Sequence, residues 1–230
     1  MRGRLHPLLL RGRTPVNTQG WAWVALALYL AGLVLAFGVR TWLQLCRTGT
    51  SGFRGISGRP GSLAWWGGVL FPAAVLLGLA APVLVLTGAT PPLGALAHPV
   101  VAGAGLVVGA GGLVVVLLAQ QAMGASWRIG VDDSERTELV TSGLFGWVRN
   151  PVFTGMAAVS AGVALMAPTL IAALALACLI AAVQIQVRVV EEPYLTRIHG
   201  EPYRRYAASA GRFLPGIGRI RVGGSVRESR

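Results

Sequence analysis

The sequence predicts an all-α, polytopic membrane protein with about five transmembrane helices. Mean hydropathy is +0.64 over 230 residues, and 54% of the chain is hydrophobic. Only 12% of it is charged, about half of what a soluble domain carries. The apolar residues also fall into uninterrupted runs of bilayer length, with the polar residues gathered between and after them.

The elements follow in chain order. Residues 1–20 form an N-terminal tail with Arg2, Arg4, Arg11 and Arg13. The tail and the apolar run behind it superficially resemble a signal peptide. The leader is long and no small-residue cleavage motif follows, so the first run reads as a retained helix. Runs at 21–39, 65–86 and 100–119 are each roughly 20 residues, which at ~1.5 Å per residue covers a hydrocarbon core of ~30 Å. Segment 40–64 places Arg40, Arg47, Arg54 and Arg59 beside Trp42, Leu43 and Leu45, and reads as an interfacial element. Residues 21–120 are thus a three-helix membrane scaffold. A fourth apolar region, 155–187, is too long for one crossing, and Ala167-Pro168 divides it into a tight helical hairpin.

Within the third run, Gly103-Ala104-Gly105 and Gly109 match a loose dinucleotide-binding pattern. No strand precedes them and no acidic residue follows at the required distance, so Gly105 and Gly109 are read as close helix packing.

All 20 basic residues are arginine, and Ala, Gly, Val and Leu dominate the rest, a bias fitting a GC-rich bacterial genome and hence an inner membrane. Four arginines lie on the N-terminal side of the spans and sixteen on the other, so the positive-inside rule makes the latter side cytosolic. The net charge of +12 flanks apolar runs, where it meets anionic headgroups, and no fold or motif supports nucleic-acid binding. Cys46 and Cys178 support neither a disulfide framework nor a metal site.

Two polar segments, 120–154 and 188–230, share the cytosolic side and hold all eight acidic residues. Ionisable groups at a membrane edge mark a candidate site, because charge there needs a partner. Gln184, Arg188, Glu191 and Glu192 recur at helical spacing and form one polar stripe. Two carboxylates near a helix C-terminus oppose its dipole and call for a cation, of which Arg188 supplies part. Pro193 kinks or restarts the helix, Gly200 ends it, and a further helix runs from Glu201-Pro202 toward Gly211. These short helices carry Tyr203, Arg204, Arg205 and Tyr206 and suit a lid on the membrane surface.

The run LVTSGLFGWVRNPVFTG (139–155), Arg188 ahead of Glu191-Glu192, HGEPYRRY (199–206) and RFLP (212–215) together resemble the isoprenylcysteine carboxyl methyltransferase family and its phospholipid methyltransferase relatives. The resemblance covers the last ~95 residues in order, and makes 121–230 a methyltransferase core of cytosolic loop, hairpin 155–190 and short helices. It implies an S-adenosylmethionine-dependent enzyme whose cofactor pocket lies at the cytosolic face without a Rossmann domain. Carried onto this chain, cofactor contacts fall on Thr137, Glu138, Leu139, Val140, Phe145, Arg149, Asn150, Pro151, Val152, Phe153, Glu192 and Tyr203. The substrate-facing arginine matches Arg188, with Glu191 and Glu192 beside it as catalytic candidates. Asn150 replaces the family's histidine, and Phe145 and Phe153 replace tyrosines. Packing explains these two phenylalanines equally well, and a capped helix start equally explains Arg149 and Asn150.

Methyl transfer from a sulfonium is an in-line displacement, so alignment matters most, worth roughly 7–11 kcal/mol. A carboxylate acceptor is ionised at neutral pH and requires no general base, which suits a chain whose histidines are His6, His98 and His199. Arg188 would orient that carboxylate, while Glu191 or Glu192 holds the cofactor's amino group or Arg188 itself. An amine or thiol acceptor would instead pass a proton to a glutamate. The acceptor is expected to be lipophilic and to arrive from the bilayer. The rival readings are an NADPH-dependent membrane reductase and a transporter, and neither mid-bilayer polar groups nor inverted repeats favour the latter.

Overall fold

The computed structural model describes residues 17–51, 55–124 and 139–220. Thr137 and Glu138 lie outside the described residues, as does most of the loop ahead of them. Among the described residues there are helices, turns and isolated bridges but no strand.

Helix α1 spans Thr18–Thr48, opening where the Asn17 side chain accepts from the Gly20 amide at 2.8 Å and closing at left-handed Gly49, φ 73°. Segment 40–48 therefore continues the first helix, since no breaker interrupts RTWLQLCRT. Its inward face carries Arg40 and Gln44, both buried, and its outward face Trp42 and Leu45. A π-helical stretch, Val34–Val39, widens α1 just before this extension. Such widening loosens the backbone ladder, and Gln120 donates to the Ala36 carbonyl at 2.9 Å. One turn on, Arg40 donates to the Gly124 carbonyl.

Helix α2, Leu63–Leu86, starts on the Ser62 hydroxyl, which accepts from Trp65 N at 3.2 Å. It carries Pro72 and Pro82 internally, as membrane helices tolerate. Helix α3, Pro99–Met123, begins with proline in its first turn, and His98 caps it by accepting from Val100 N at 3.2 Å. Helix α4, Pro151–Met166, and helix α5, Leu170–His199, form the expected hairpin. Its turn is fixed by Thr169, which accepts from Ala172 N at 3.1 Å, and by Pro168, whose carbonyl accepts from Leu93 N at 2.6 Å. Helix α6, Glu201–Ser209, follows Gly200, whose φ of 58° ends α5.

Four helices, α1, α2, α3 and α5, are long and apolar enough to cross a membrane, and α4 is a shorter apolar one. Helix α4 links the end of the bundle where α3 finishes to the end where α5 starts, so it carries the chain across. The side on which α1 ends and α4 begins is called the inner side below.

Small residues hold α3 against α4. A β-carbon on Gly105 would lie 2.7 Å from the Gly162 carbonyl oxygen, and one on Gly155 would lie 2.6 Å from that of Gly112. These backbones therefore touch, as the glycine spacing predicts, and dispersion is the main attraction available where lipid is as apolar as the side chains. Gly155→Ala is expected to destabilise the bundle by about 1–3 kcal/mol through overpacking. The thermal midpoint in detergent should fall, and an unchanged midpoint would contradict the contact.

Candidate functional site

The site grows from the chain entering α4. A 3-10 turn, Gly143–Gly146, leads into an extended segment that pairs with the C-terminal loop. Arg149 N donates to the Gly211 carbonyl at 2.7 Å, Gly211 N to Trp147 at 3.1 Å and Asn150 N to Arg212 at 3.2 Å. Proline at the first helical position disfavours a helical conformation for the residue before it, and Asn150 sits at φ −126°, ψ 57°. Its side chain does not cap the helix. The amide instead donates to the Arg212 carbonyl at 3.0 Å, and the Thr154 hydroxyl donates to Phe213 O at 2.7 Å. The loop after α6 is thereby stitched across the start of α4.

Beneath this seam lies an ion triad. Arg149, with a side chain 2% exposed, approaches Glu192 Oε1 at 2.6 Å. Arg212 takes the same carboxylate in a two-point grip, Nε to Oε1 at 2.8 Å and Nη2 to Oε2 at 2.9 Å, the strong geometry for this pair. Arg149 also donates to the carbonyls of Ala207 at 2.9 Å, Ala210 at 2.6 Å and Gly218 at 3.1 Å. One guanidinium thus ties the end of α6 and the C-terminal loop to α5. Its Nε is buried without a hydrogen bond among the described residues.

Tyr203 is fully buried beside the triad. Burial, reinforced by the negative charge of Glu192, pushes its hydroxyl up to about 12. Tyr206 meets it edge-on at 6.2 Å and donates to the Phe145 carbonyl at 2.8 Å; burial also raises its pKa. The hydrogen bonds to Glu192, against the opposing effect of burial, raise that of Arg212. At neutral pH both phenols are neutral.

The expected polar stripe on α5 divides. A second π-helical stretch, Gln186–Glu191, precedes the return to α-helix at Glu192. Pro193 follows directly, and its missing N–H and ring bulk are accommodated by that widened turn. Glu192 turns inward to the triad. Arg188 stays exposed, its Nε donating to Gln184 Oε1 at 2.8 Å, and Gln186 donates to Glu191 at 3.3 Å. The cation required by Glu192 comes from Arg149 and Arg212 rather than Arg188. The helix also runs on to His199, so burial more than the helix dipole sets that requirement.

Of the sequence-derived site residues, Arg149, Asn150, Glu192 and Tyr203 converge around Arg212, which the residue reading left out although RFLP contains it. Phe145 is buried against the same seam through its carbonyl. Leu139, Val140 and Val152 are half-buried along the entry to α4, where Pro151 is buried. Phe153 packs with Phe213 against Ala74, Leu179 and Val183, a packing role.

No curated protein matches the chain. Residues 100–202 match the sequence model of the phospholipid methyltransferase family, a segment running from α3 through the hairpin to the first residues of α6 and containing Arg149, Arg188 and Glu192. Over that segment, the chain is similar to the phospholipid methyltransferase family.

Proposed function

We propose that the protein transfers the methyl group of S-adenosylmethionine to a lipophilic acceptor, a carboxylate in the reading favoured by its residues, at the cytosolic face of a bacterial inner membrane. The observation that carries this reading is the contrast on α5. Arg188 stands exposed with Gln184 as its hydrogen-bond partner among the described residues, while Glu192 is committed to two arginines. A guanidinium whose Nη groups have no hydrogen-bond partner among the described residues, near the inner end of a spanning helix, suits bidentate capture of a carboxylate arriving from lipid.

The chain's residues fit the cofactor in part. Glu191 or Glu192 is assigned to the cofactor's cationic amino group, with the oxygens of Glu192 also engaged by Arg149 and Arg212. The half-buried Leu139 and Val140, and the Pro151–Phe153 start of α4, are the further residues assigned to the cofactor. When bound, S-adenosylmethionine supplies a sulfonium methyl open to in-line displacement. Arg188 orients the acceptor, the stitched C-terminal loop excludes water, and an ionised carboxylate leaves no proton to be moved. The family's description favours a second reading, a phospholipid as acceptor; if the accepting group is an amine, one of the two glutamates would take its proton.

Titration of the purified protein with S-adenosylmethionine and, separately, NADPH tests the first step. Saturable binding of S-adenosylmethionine is expected, and binding of NADPH alone would replace the assignment with a reductase. Membrane lipid extract incubated with methyl-labelled cofactor then separates the acceptors. Mild alkali releases the label as methanol from a methyl ester and leaves it on a methylated amine.

A further inference from the structure

Large apolar side chains stand exposed outside the spanning helices at the inner seam: Trp147, 70% exposed, with Leu214 and Ile217, 52% and 64% exposed, on the C-terminal loop. The Val148–Gly211 bridge joins the two segments, and the Leu214–Ile217 bridge closes the loop into a turn. We propose that Trp147 and this turn form an edge that seats in the cytosolic leaflet, among anionic lipid headgroups.

The exposed tryptophans mark the depth of this edge. Trp23 and Trp42 are both 61% exposed on α1 and lie about 28 Å apart along a helix of this rise, close to the ~30 Å hydrocarbon thickness. They mark the two interfaces, where tryptophan concentrates. Trp66, exposed at the start of α2, joins Trp42 on the inner side. Trp147 precedes the inner end of α4 and extends the same belt.

Phe213 packs with Phe71 and Phe153 against Ala74, Leu179 and Val183, residues of the spanning helices α2 and α5. Leu214 follows it directly, so the turn is anchored on the membrane-embedded wall of the bundle instead of projecting from it. Thr154 holds it there through the Phe213 carbonyl at 2.7 Å.

Arg204, Arg205 and Arg219 are exposed on α6 and just past the turn. Glu201 offsets Arg204 at 3.7 Å, leaving a basic rim around an apolar tip. That arrangement matches an anionic headgroup layer, with the apolar side chains below it and arginine above.

The test uses the full chain with Cys46 and Cys178 replaced by serine, and an environment-sensitive fluorophore on Leu214→Cys, Ile217→Cys or, as a control on exposed α6, Glu201→Cys. The protein is reconstituted in bilayers of equal phosphatidylglycerol and phosphatidylcholine. Shallow doxyl-labelled lipid should quench the labels at 214 and 217 at least about twofold more than at 201, as for an interfacially buried edge, and aqueous iodide should do the reverse. Iodide quenching at 214 and 217 equal to that at 201 would overturn the proposal. Protection from both quenchers would also overturn it, pointing to a contact with a second copy of the chain. Two labelled positions guard against one substitution disturbing the turn, and helical circular dichroism confirms folding of each variant.

Discussion

Glu192→Ala is expected to be the most disruptive single substitution on the inner side, costing about 3–5 kcal/mol, because removing one partner leaves buried charge uncompensated. The carboxylate is the shared acceptor of Arg149 and Arg212, whose side chains are 2% and 17% exposed. Without it, two guanidiniums face each other under a loop that Arg149 also ties down through Ala207, Ala210 and Gly218. The seam between α6, the C-terminal loop and α4 should open, exposing the arginine-rich segment to trypsin well below the unfolding temperature of the spanning helices. Glu192→Gln keeps the shape but loses the charge and should fall between alanine and wild type. Adding Arg212→Ala to Glu192→Ala should recover part of the loss, since it removes one of the stranded cations. A Glu192→Ala protein with unaltered melting and proteolysis would show that the triad holds nothing together.

Arg188→Ala is expected to have the complementary outcome, a large loss of turnover with stability retained. The side chain is exposed and bonds Gln184 within its own helix, so its removal should change stability by no more than about 0.5 kcal/mol. If it orients the acceptor, a charge-assisted hydrogen bond worth about 1.5–3 kcal/mol is lost, slowing methyl transfer roughly 10–150-fold. Binding of S-adenosylmethionine should be unaffected. Arg188→Lys keeps the charge without the planar fork and should restore only part of the rate. Labelled methyl incorporation measured beside a cofactor titration separates these effects, and an unimpaired rate in Arg188→Ala would remove the residue from the substrate site.

The two substitutions divide a pair of groups that looked alike at the level of spacing. Arg188 and Glu192 are four residues apart, which in a regular helix makes them neighbours. The π-helical stretch at Gln186–Glu191 adds a residue to the turn, after which Glu192 faces the protein while Arg188 remains exposed. Pro193 hinted at an irregularity without indicating which side of it would widen. Arg212 was similarly hidden, because a residue twenty positions from its partner leaves no periodic trace. It is recruited by the loop that pairs Gly211 with Trp147.

Local chemistry was legible where it acts over short distances. Spanning length and apolar composition determined the helical membrane class, Ala167-Pro168 the hairpin turn, Gly200 the break before α6, and Gly105 and Gly109 the close approach of α3 to its neighbour. Each depends on a residue's own backbone preference or on a run of neighbours meeting lipid. The extension of α1 to Thr48 was less legible, because arginines beside tryptophan suit both an interfacial segment and a helix leaving the bilayer. Burial of Arg40 and Gln44, with Arg40 donating to the Gly124 carbonyl at the end of α3, decided it.

The sequence by itself therefore determined the number, order and membrane nature of the main helices, together with the family pattern over residues 100–202. Tertiary structure alone decided which arginines hold Glu192, which is left exposed, and which apolar side chains of the C-terminal loop face outward. The physical reason is distance along the chain. Helix formation and bilayer insertion are fixed by residues within a few turns of one another, whereas a buried ion triad joins segments 43 and 20 positions from Glu192 and exists only once the chain has folded around it.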